Sequence, residues 1–358
     1  MRVFHVGGDG IVELAARPEA LPAGGFIWIG SARREFELGA AELQAALQRW
    51  GVGALVDLHV SDLLNNQLPS HFDYTSWYDL LVFRRLAASP GSAELFVDDV
   101  HGTLASAKKA LASIDTSPVG FAVFDRVLIT VHPTDCVVRD YFAQRLAGAG
   151  ARLPASPADL MLRMVNHMVD SYLDLRRLLT RQLAYLQQQL LDPKSRFGDW
   201  ALLLESRNSL HLLEDTCEDQ RSAVQEWIDG LDEWPDEPDA QARREREVLR
   251  VRSRDVLEHI ERVLSHVRRL EQAAEGAVQM HFSMLGHRTN DIMRTLTVLT
   301  AVFLPLNLIT GFFGMNFDFL PLIHSDAGFW TAAVVMVMVG VGLAAFFWRK
   351  RYLGTQHR

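Results

Sequence analysis

The apolar positions along the chain change their spacing in a way that divides the sequence into parts. Before Pro154, short runs of β-branched and aromatic residues alternate with runs whose apolar positions recur every three or four residues. We predict strands over 25–30, 54–60, 78–86 and 121–131, and helices over 35–50 and 101–113. This alternation indicates an α/β domain over residues 1–155.

Residues 156–290 are predicted to be almost entirely helical. Ser156-Pro157-Ala158-Asp159 combines a capping side chain, a proline at the first helical position and an acid in the first turn. Breaks at 192–193 and 232–238 leave two helices of about 30 residues and a very long one that opens at Asp239. No proline lies between Ala240 and the apolar segment that follows, so this last helix is expected to continue into that segment.

The long helix carries a heptad seam, which predicts packing against partner helices. The seam is interrupted at Ser253. Its members are Leu249, Val256, Ile260, Val263, Val267, Leu270, Ala274 and Ala277.

Two uncharged runs occur at the C-terminal end of the sequence, Thr295–Phe317 and Phe329–Trp348. Each matches the roughly 20 apolar residues that a helix needs to cross a bilayer. The predicted parts are a transmembrane helix over 291–313, a loop over 314–327, a second transmembrane helix over 328–348 and a basic tail over 349–358. The basic tail and the acidic loop follow the positive-inside rule with both termini in the cytoplasm. The first 25 residues lack the features of a secretory signal, which agrees with a cytoplasmic N-terminal domain.

Composition narrows the function classes. The net charge is -8, and the two cysteines, Cys136 and Cys217, are far apart and in no metal-ligand spacing, as expected in a reducing compartment. Gly7-Gly8-Asp9-Gly10 lacks the context of a phosphate-binding loop and is predicted to be a turn. No nucleophile–base pairing or cofactor motif is present, so neither an enzyme nor a nucleic-acid partner is expected. The acids and histidine of 211–219 are spread around one helix, which indicates a solvated acidic face.

One face of the first membrane segment differs from the others. A stripe at steps of three and four has small and polar members near its outer end. Lipid would penalise Thr300, Asn307 and Thr310, so this stripe should face protein or water. Two interpretations stay open: a pore, or close helix packing through small residues. The stripe comprises Met293, Leu296 or Thr297, Thr300, Leu304, Asn307, Gly311 and Gly314.

Three motifs in this region resemble the membrane hairpin of CorA Mg²⁺ channels. They are Thr289-Asn290-Asp291-Ile292-Met293, the proline-bearing segment from Phe303 to Gly311, and Phe313-Gly314-Met315-Asn316-Phe317. Leu128-Ile129-Thr130-Val131-His132 is similar to a strand of that family's cytoplasmic domain. The resemblance implies an α+β fold with a cytoplasmic α/β domain, a helical stalk and a C-terminal two-helix hairpin. It also implies a homopentameric funnel in a bacterial-type inner membrane.

The resemblance further assigns roles to residues. A filter of Gly314, Met315 and Asn316 would close the periplasmic end of an axial pore, with Asp318 as the main loop carboxylate. Mg²⁺ would be the substrate and also a regulatory ligand, with no permanently bound cofactor. Acids that relatives place between neighbouring subunits correspond by position to Asp255, with Asp98 and Asp99 as candidates in the other domain. The implied pore-lining residues are Asn290, Met293, Leu296, Thr300, Leu304, Asn307 and Gly311.

The sequence departs from the family pattern at three places and leaves two alternatives open. Phe313 replaces a frequent tyrosine, Leu320-Pro321-Leu322 lacks a second loop acid, and Gln279 occupies a position that is often acidic. A zinc or cobalt transporter on the same fold, coupled to protons, is the nearest alternative, although the intact Met315 favours Mg²⁺. The other alternative is a membrane-anchored coiled-coil sensor without a pore.

Overall fold

The computed structural model of the chain describes residues 1–8, 10–88, 111–112, 114–134, 137–148, 152–191, 200–233, 239–315 and 326–350. The chain divides into two compact units, Met1–Gly276 and Ala277–Arg358. The strands are β1 (Arg2–Gly7), β2 (Gly10–Leu14), β3 (Phe26–Ala32), β4 (His71–Tyr74), β5 (Tyr78–Arg84), β6 (Ala87–Ala88), β7 (Ile114–Asp115), β8 (Pro118–Phe124) and β9 (Val127–His132). The helices are α1 (Arg33–Arg49), α2 (Asp57–Leu64), α3 (Val138–Ala147), α4 (Pro157–Asp170), α5 (Tyr172–Leu191), α6 (Trp200–Glu233), α7 (Ala240–Phe313) and α8 (Asp326–Arg349).

A seven-stranded sheet organises the first unit, in the order β2-β1-β3-β9-β8-β5-β4. β3 and β9 pair in parallel, and the other neighbours in this sheet pair antiparallel. Every residue of β3, β8 and β9 is buried, because helices cover both faces of the sheet. Ile29 packs with Phe36 and Leu47 of α1 on one face, while Trp28 packs with residues of α4, α6 and α7 on the other. The fold is α+β, as the sequence predicts.

The strand predictions are correct for 25–30 and 78–86 and wrong at two other places. Residues 54–60 were expected to form a strand, but α2 begins at Asp57. The reason is that His59 and Leu63, four residues apart, are the buried positions, so the burial follows a helical period. The predicted strand 121–131 is part of two antiparallel strands, β8 and β9, which pair across a turn at Asp125 and Arg126. The predicted helix 101–113 lies almost entirely outside the described residues.

The N-terminal hairpin of β1 and β2 was not predicted as strands. Gly7 pairs with Gly10 at its end, which agrees with the predicted turn.

The helical region begins as predicted and then has one additional break. The Ser156 hydroxyl accepts a hydrogen bond from the Asp159 amide at 3.2 Å, which caps α4. α4 and α5 are separate helices, however, because the chain is interrupted at Ser171, whose hydroxyl donates to the Met168 carbonyl at 2.6 Å. α5 ends at Leu191, α6 ends at Glu233 and α7 begins at Ala240, in agreement with the other predicted breaks.

The partners of the heptad seam lie in the same chain. Leu249, Val256 and Ile260 are buried with residues of α4 and α6, and Val267, Leu270 and Ala274 with residues of α5 and α6. Ser253 is completely buried and explains the polar interruption. Its hydroxyl accepts from the Trp227 indole Nε1 at 2.9 Å and donates to the Leu249 carbonyl at 2.8 Å. The seam therefore builds the core of the first unit.

We expect Ser253→Ala to lower the free energy of unfolding by about 1–3 kcal/mol, because it removes the buried hydroxyl that accepts from the Trp227 indole and donates to the Leu249 carbonyl. Ser265→Ala, at an exposed position of the same helix, is the matched control and should change stability little. Thermal unfolding of the detergent-solubilised chain, followed by circular dichroism, measures the difference. Equal midpoints for the two variants would contradict this account.

Asp79, a partly buried carboxyl group in the sheet, makes stability depend on pH. Burial, followed by the nearby charge of Asp125, raises the pKa of Asp79 from 3.8 to about 6. The folded state therefore binds this proton more tightly than the unfolded state, so its contribution to stability is lost as pH rises from about 4 to about 6. Two pKa units correspond to about 3 kcal/mol at most. We expect Asp79→Asn to be more stable than the parent chain at pH 8 and to lose that advantage near pH 4. Glu37→Gln, at an exposed site on α1, is the control, and a pH-independent effect of Asp79→Asn would contradict the assignment.

Candidate functional site

The predicted stripe on the C-terminal part of α7 is exposed in the single chain. Met293, Leu296 and Leu304 have exposed fractions of 63%, 61% and 67%. The remaining members, Asn290, Thr300, Asn307, Gly311 and Gly314, are exposed as well. An apolar surface of this extent needs lipid or further protein to cover it.

The opposite side of the same helix is the covered one. Val298 is buried, and Ala301, Val302, Pro305, Leu306 and Ile309 are partly buried. α8 packs on this side, since a Cβ at Gly340 would lie 3.7 Å from Leu306 Cδ1. At about 100° per residue, the covered side and the stripe lie on nearly opposite faces of α7. The hairpin of α7 and α8 thus leaves the stripe free to contact other molecules.

The threonine hydroxyl groups on and beside the stripe donate hydrogen bonds to carbonyl groups of the same helix. Thr297 donates to the Met293 carbonyl at 2.8 Å, Thr300 to the Leu296 carbonyl at 2.9 Å, and Thr310 to the Asn307 carbonyl at 3.0 Å. The hydroxyl oxygens retain lone pairs that can accept hydrogen bonds. Acceptors of this kind suit the water molecules around a hydrated cation, because those waters present their protons outward.

The Asn307 side chain is an amide inside the run without charged residues that begins at Thr295. Its amide makes no hydrogen bond to another described residue, and the residue is exposed. An amide in hydrocarbon is unfavourable without a partner, so this group requires protein or water opposite it.

At the C-terminal end of α7, the backbone of Gly314 lies close to the Thr310 carbonyl. The Gly314 amide donates to the Thr310 carbonyl at 2.9 Å, and a Cβ at Gly314 would lie 2.9 Å from the same oxygen. Glycine is therefore required by the close approach of the backbone. Met315, with an exposed fraction of 46%, ends the described part of this segment. Asn316 and Asp318 lie outside the described residues.

The predicted regulatory acid Asp255 belongs to a small polar cluster in the first unit. Its carboxylate lies 3.9 Å from His259 Nε2, and the other ring nitrogen of His259 lies 3.6 Å from the Asp170 carboxylate. His259 Nδ1 is also 3.2 Å from Asn166 Oδ1. The neighbour Arg252 contacts Asp159. Asp98 and Asp99, the predicted counterparts, lie outside the described residues.

The sequence reasoning missed Asp170, Asn166 and His259. The spacing of Asp255 and His259 by four residues was a usable signal, since such pairs share a helix face. The approach of α4 had no local signal in the sequence.

A second group of ligand types comes from two helices. The ligand atoms of His211, Glu214 and Glu271 lie within 4.8 Å of one another. Arg268 donates to Glu214 at 2.7 Å and also contacts Glu218, so the acids are already neutralised in part. The Arg268 guanidinium lowers the pKa of Glu214, whereas the hydrogen bond with Glu214 raises the pKa of Glu271. Cys217, nearby in sequence, is buried, and burial raises its pKa to about 12, which agrees with a structural role.

Two helices in the described part of the chain are long and apolar enough to cross a membrane. The apolar windows lie within Arg243–Phe313 and Gly328–Arg349, with mean hydropathies of 1.9 and 2.2.

Comparison with known proteins identifies relatives. The family described as "CorA-like Mg2+ transporter protein" matches residues 71–351. The cobalt/magnesium transport protein CorA of Thermotoga maritima is 29% identical over 100 residues, which are 28% of this chain and 28% of the relative. The magnesium transport protein CorA of Escherichia coli K12 is 31% identical over 101 residues, 28% of this chain and 32% of the relative. These alignments therefore span about a third of the relatives' length or less.

Solved structures show the same fold over almost the whole chain. The complete CorA magnesium transporter from Methanocaldococcus jannaschii has a TM-score of 0.71 at 16% identity and covers 98% of both chains. The full-length CmaX protein has a TM-score of 0.60 at 19% identity and covers 98% of this chain and 97% of the other.

Proposed function

Because the chain belongs to the CorA-like Mg²⁺ transporter family, we propose that it is a channel for Mg²⁺, and also for Co²⁺, in a bacterial-type inner membrane. Five copies surround an axial pore, with both termini in the cytoplasm. The observation that carries the proposal is the exposed stripe on α7, which lies opposite the face that packs on α8 and leads to Gly314 and Met315.

In this proposal, Asn316 supplies a ring of neutral amide oxygens at the outer mouth. Mg²⁺ gives up its water reluctantly, so oxygens that hydrogen-bond the hydrated ion suit it better than a tight carboxylate cage. Thr300 and Asn307 form further polar rings along the pore. Asp318 attracts cations to the mouth from the loop.

The driving force is the membrane potential. The run from Thr295 to Phe317 contains no charged residue that could carry a coupled proton. A divalent cation gains roughly 4.6 kcal/mol per 100 mV of inside-negative potential, which suffices for uptake without a second energy source.

In this proposal, the pore is closed by apolar constrictions, and a cytoplasmic metal ion favours the closed state. Met293, Leu296 and Leu304 exclude water from the closed pore. A divalent cation bound at Asp255, with Asp98 or Asp99 of a neighbouring subunit, favours the closed state. Asp255 is available for this role because its side chain is 58% exposed in the single chain.

We expect Asn316→Ala to reduce Mg²⁺ uptake into proteoliposomes tenfold or more, because all five subunits lose the amide that receives the hydrated ion. A tenfold reduction corresponds to about 1.4 kcal/mol in the barrier. Asn65→Ala, at an asparagine of the first unit, is the matched control, and uptake is reported by an entrapped dye. Unchanged uptake by Asn316→Ala would favour the sensor without a pore.

The constriction is tested by shortening one apolar side chain. We expect Leu304→Ala to raise Mg²⁺ uptake at high internal Mg²⁺ several-fold, because a wider and less apolar ring is hydrated more easily. Leu299→Ala removes the same atoms from an exposed residue, 54% exposed, that lies off the stripe, and should leave uptake unchanged. Equal effects of the two variants would remove Leu304 from the pore lining.

The energy source separates the proposed channel from a proton-coupled Zn²⁺ or Co²⁺ transporter. We expect uptake of Mg²⁺ to increase with an imposed inside-negative potential and to be unaffected by a pH gradient at zero potential. Parallel measurements with Co²⁺, Ni²⁺ and Zn²⁺ give the ion preference. Uptake that follows the pH gradient and favours Zn²⁺ would support the transporter instead.

A further inference from the structure

A cleft of about 620 Å³ in the first unit is lined by residues of α3, α4 and α7. Its volume falls within the range of small-molecule sites. Four guanidinium groups line it, those of Arg145, Arg152, Arg163 and Arg252. The chain as a whole has a net charge of -8, so this local excess of positive charge is opposite in sign to the overall balance.

Only part of this positive charge is neutralised within the chain. Asp159, which is 4% exposed, accepts from Arg163 at 3.0 Å and also pairs with Arg252. One carboxylate thus pairs with two guanidinium groups and can neutralise the charge of only one. Burial lowers the pKa of Arg252, Asp159 opposes that effect, and the charges of Arg163 and Arg152 lower the pKa further. Arg152 is therefore close enough to repel its neighbours.

Arg145 and Arg152 have N–H donors that are not used in hydrogen bonds to described residues. Arg145 donates to the neutral Tyr141 hydroxyl at 2.6 Å. The Arg152 guanidinium has no hydrogen-bond partner among the described residues, and both side chains are exposed. Arginine presents paired N–H donors that match the oxygens of a phosphate group. These two residues are the natural contacts for an anionic ligand.

Two carboxylates also line the cleft, and they restrict the form of the anion. Asp170 and Asp255 lie on either side of His259, at 3.6 and 3.9 Å from its ring nitrogens. They would repel a bare anion, but proteins commonly hold Mg²⁺ through one or two carboxylates together with phosphate oxygens. The combined lining therefore suits an anion that arrives with its cation.

We propose that this cleft binds a polyphosphate group as its Mg²⁺ complex, with Arg145 and Arg152 on the phosphate oxygens and Asp170 and Asp255 facing the ion. The group is either free inorganic polyphosphate or the phosphate tail of a nucleotide. The ligand would contact α7 directly, through Arg252 and Asp255. This inference shares Asp255 with the proposed regulation of the channel, but its test is independent of transport, because binding is measured without ion flux.

The test is calorimetric titration of the purified full-length chain with tripolyphosphate, ATP and adenosine, each with Mg²⁺ and at constant ionic strength. Constant ionic strength is needed because screening changes exposed charge interactions. We expect both tripolyphosphate and ATP to bind and adenosine not to bind. Equal affinities assign the phosphate group alone, and tighter ATP assigns a nucleotide; either result supports the site. Absence of binding, or binding of adenosine as tight as that of ATP, overturns it.

The variant series uses the two exposed arginines. The double variant Arg145→Gln and Arg152→Gln should weaken tripolyphosphate binding at least tenfold, with an unchanged thermal midpoint as evidence of folding. Arg177→Gln is the matched control, since Arg177 on α5 is 79% exposed and does not line the cleft. An equal loss in the control would show general attraction of a polyanion and overturn the proposal. Binding that is as tight with chelator as with Mg²⁺ would overturn the role of the carboxylates.

Discussion

An amide side chain in hydrocarbon must have a hydrogen-bonding environment, and Asn307 is the residue at which this constraint acts most strongly. The residue is exposed in the single chain, on the side of α7 opposite to the buried Val298. Lipid on that side would leave the group unsatisfied, so protein or water must face it. The proposed pore meets this requirement with both, and the neighbouring threonine oxygens, whose protons are used within the helix, then face the same water.

The apolar residues of α7 are buried in the first unit and exposed in the second. Within the first unit, the seam is enclosed by helices of the same chain, and its polar member Ser253 is tied to Trp227. Within the second unit, Met293, Leu296 and Leu304 remain exposed. The heptad pattern alone does not distinguish a face that is covered by the same chain from one that other molecules cover. The spacing of apolar positions indicates only that the face is covered.

Features that depend on local sequence could be predicted, whereas features that depend on contacts with distant residues could not. Long uncharged runs, capping residues and prolines are local signals, and they correctly predict two long apolar helices at the C-terminal end, the start of α4 and the end of α6. The strand prediction for residues 54–60 is wrong because the alternation of short apolar groups there resembles a strand. The burial of His59 and Leu63, which follows a helical period, depends on contacts from distant parts of the chain. The stripe was found by its spacing. Its exposure and the packing of α8 on the other side depend on contacts between two helices, which the spacing of residues in one helix does not specify.

The cluster around Asp255 shows why control by a cation would need a ligand from outside the cluster. Mg²⁺ requires near-octahedral coordination by oxygen, and retains several waters. The oxygens of Asp170, Asp255 and Asn166 are already close to His259 within the chain. An ion at Asp255 alone would have to draw this carboxylate from the histidine and would gain one ligand in exchange. In the proposed channel, the missing ligand is either an acid from a neighbouring subunit or a phosphate oxygen in the cleft. Occupancy of the cation site then depends on the arrangement of the subunits or on the bound anion. Either signal reaches α7 through the Asp255 carboxylate.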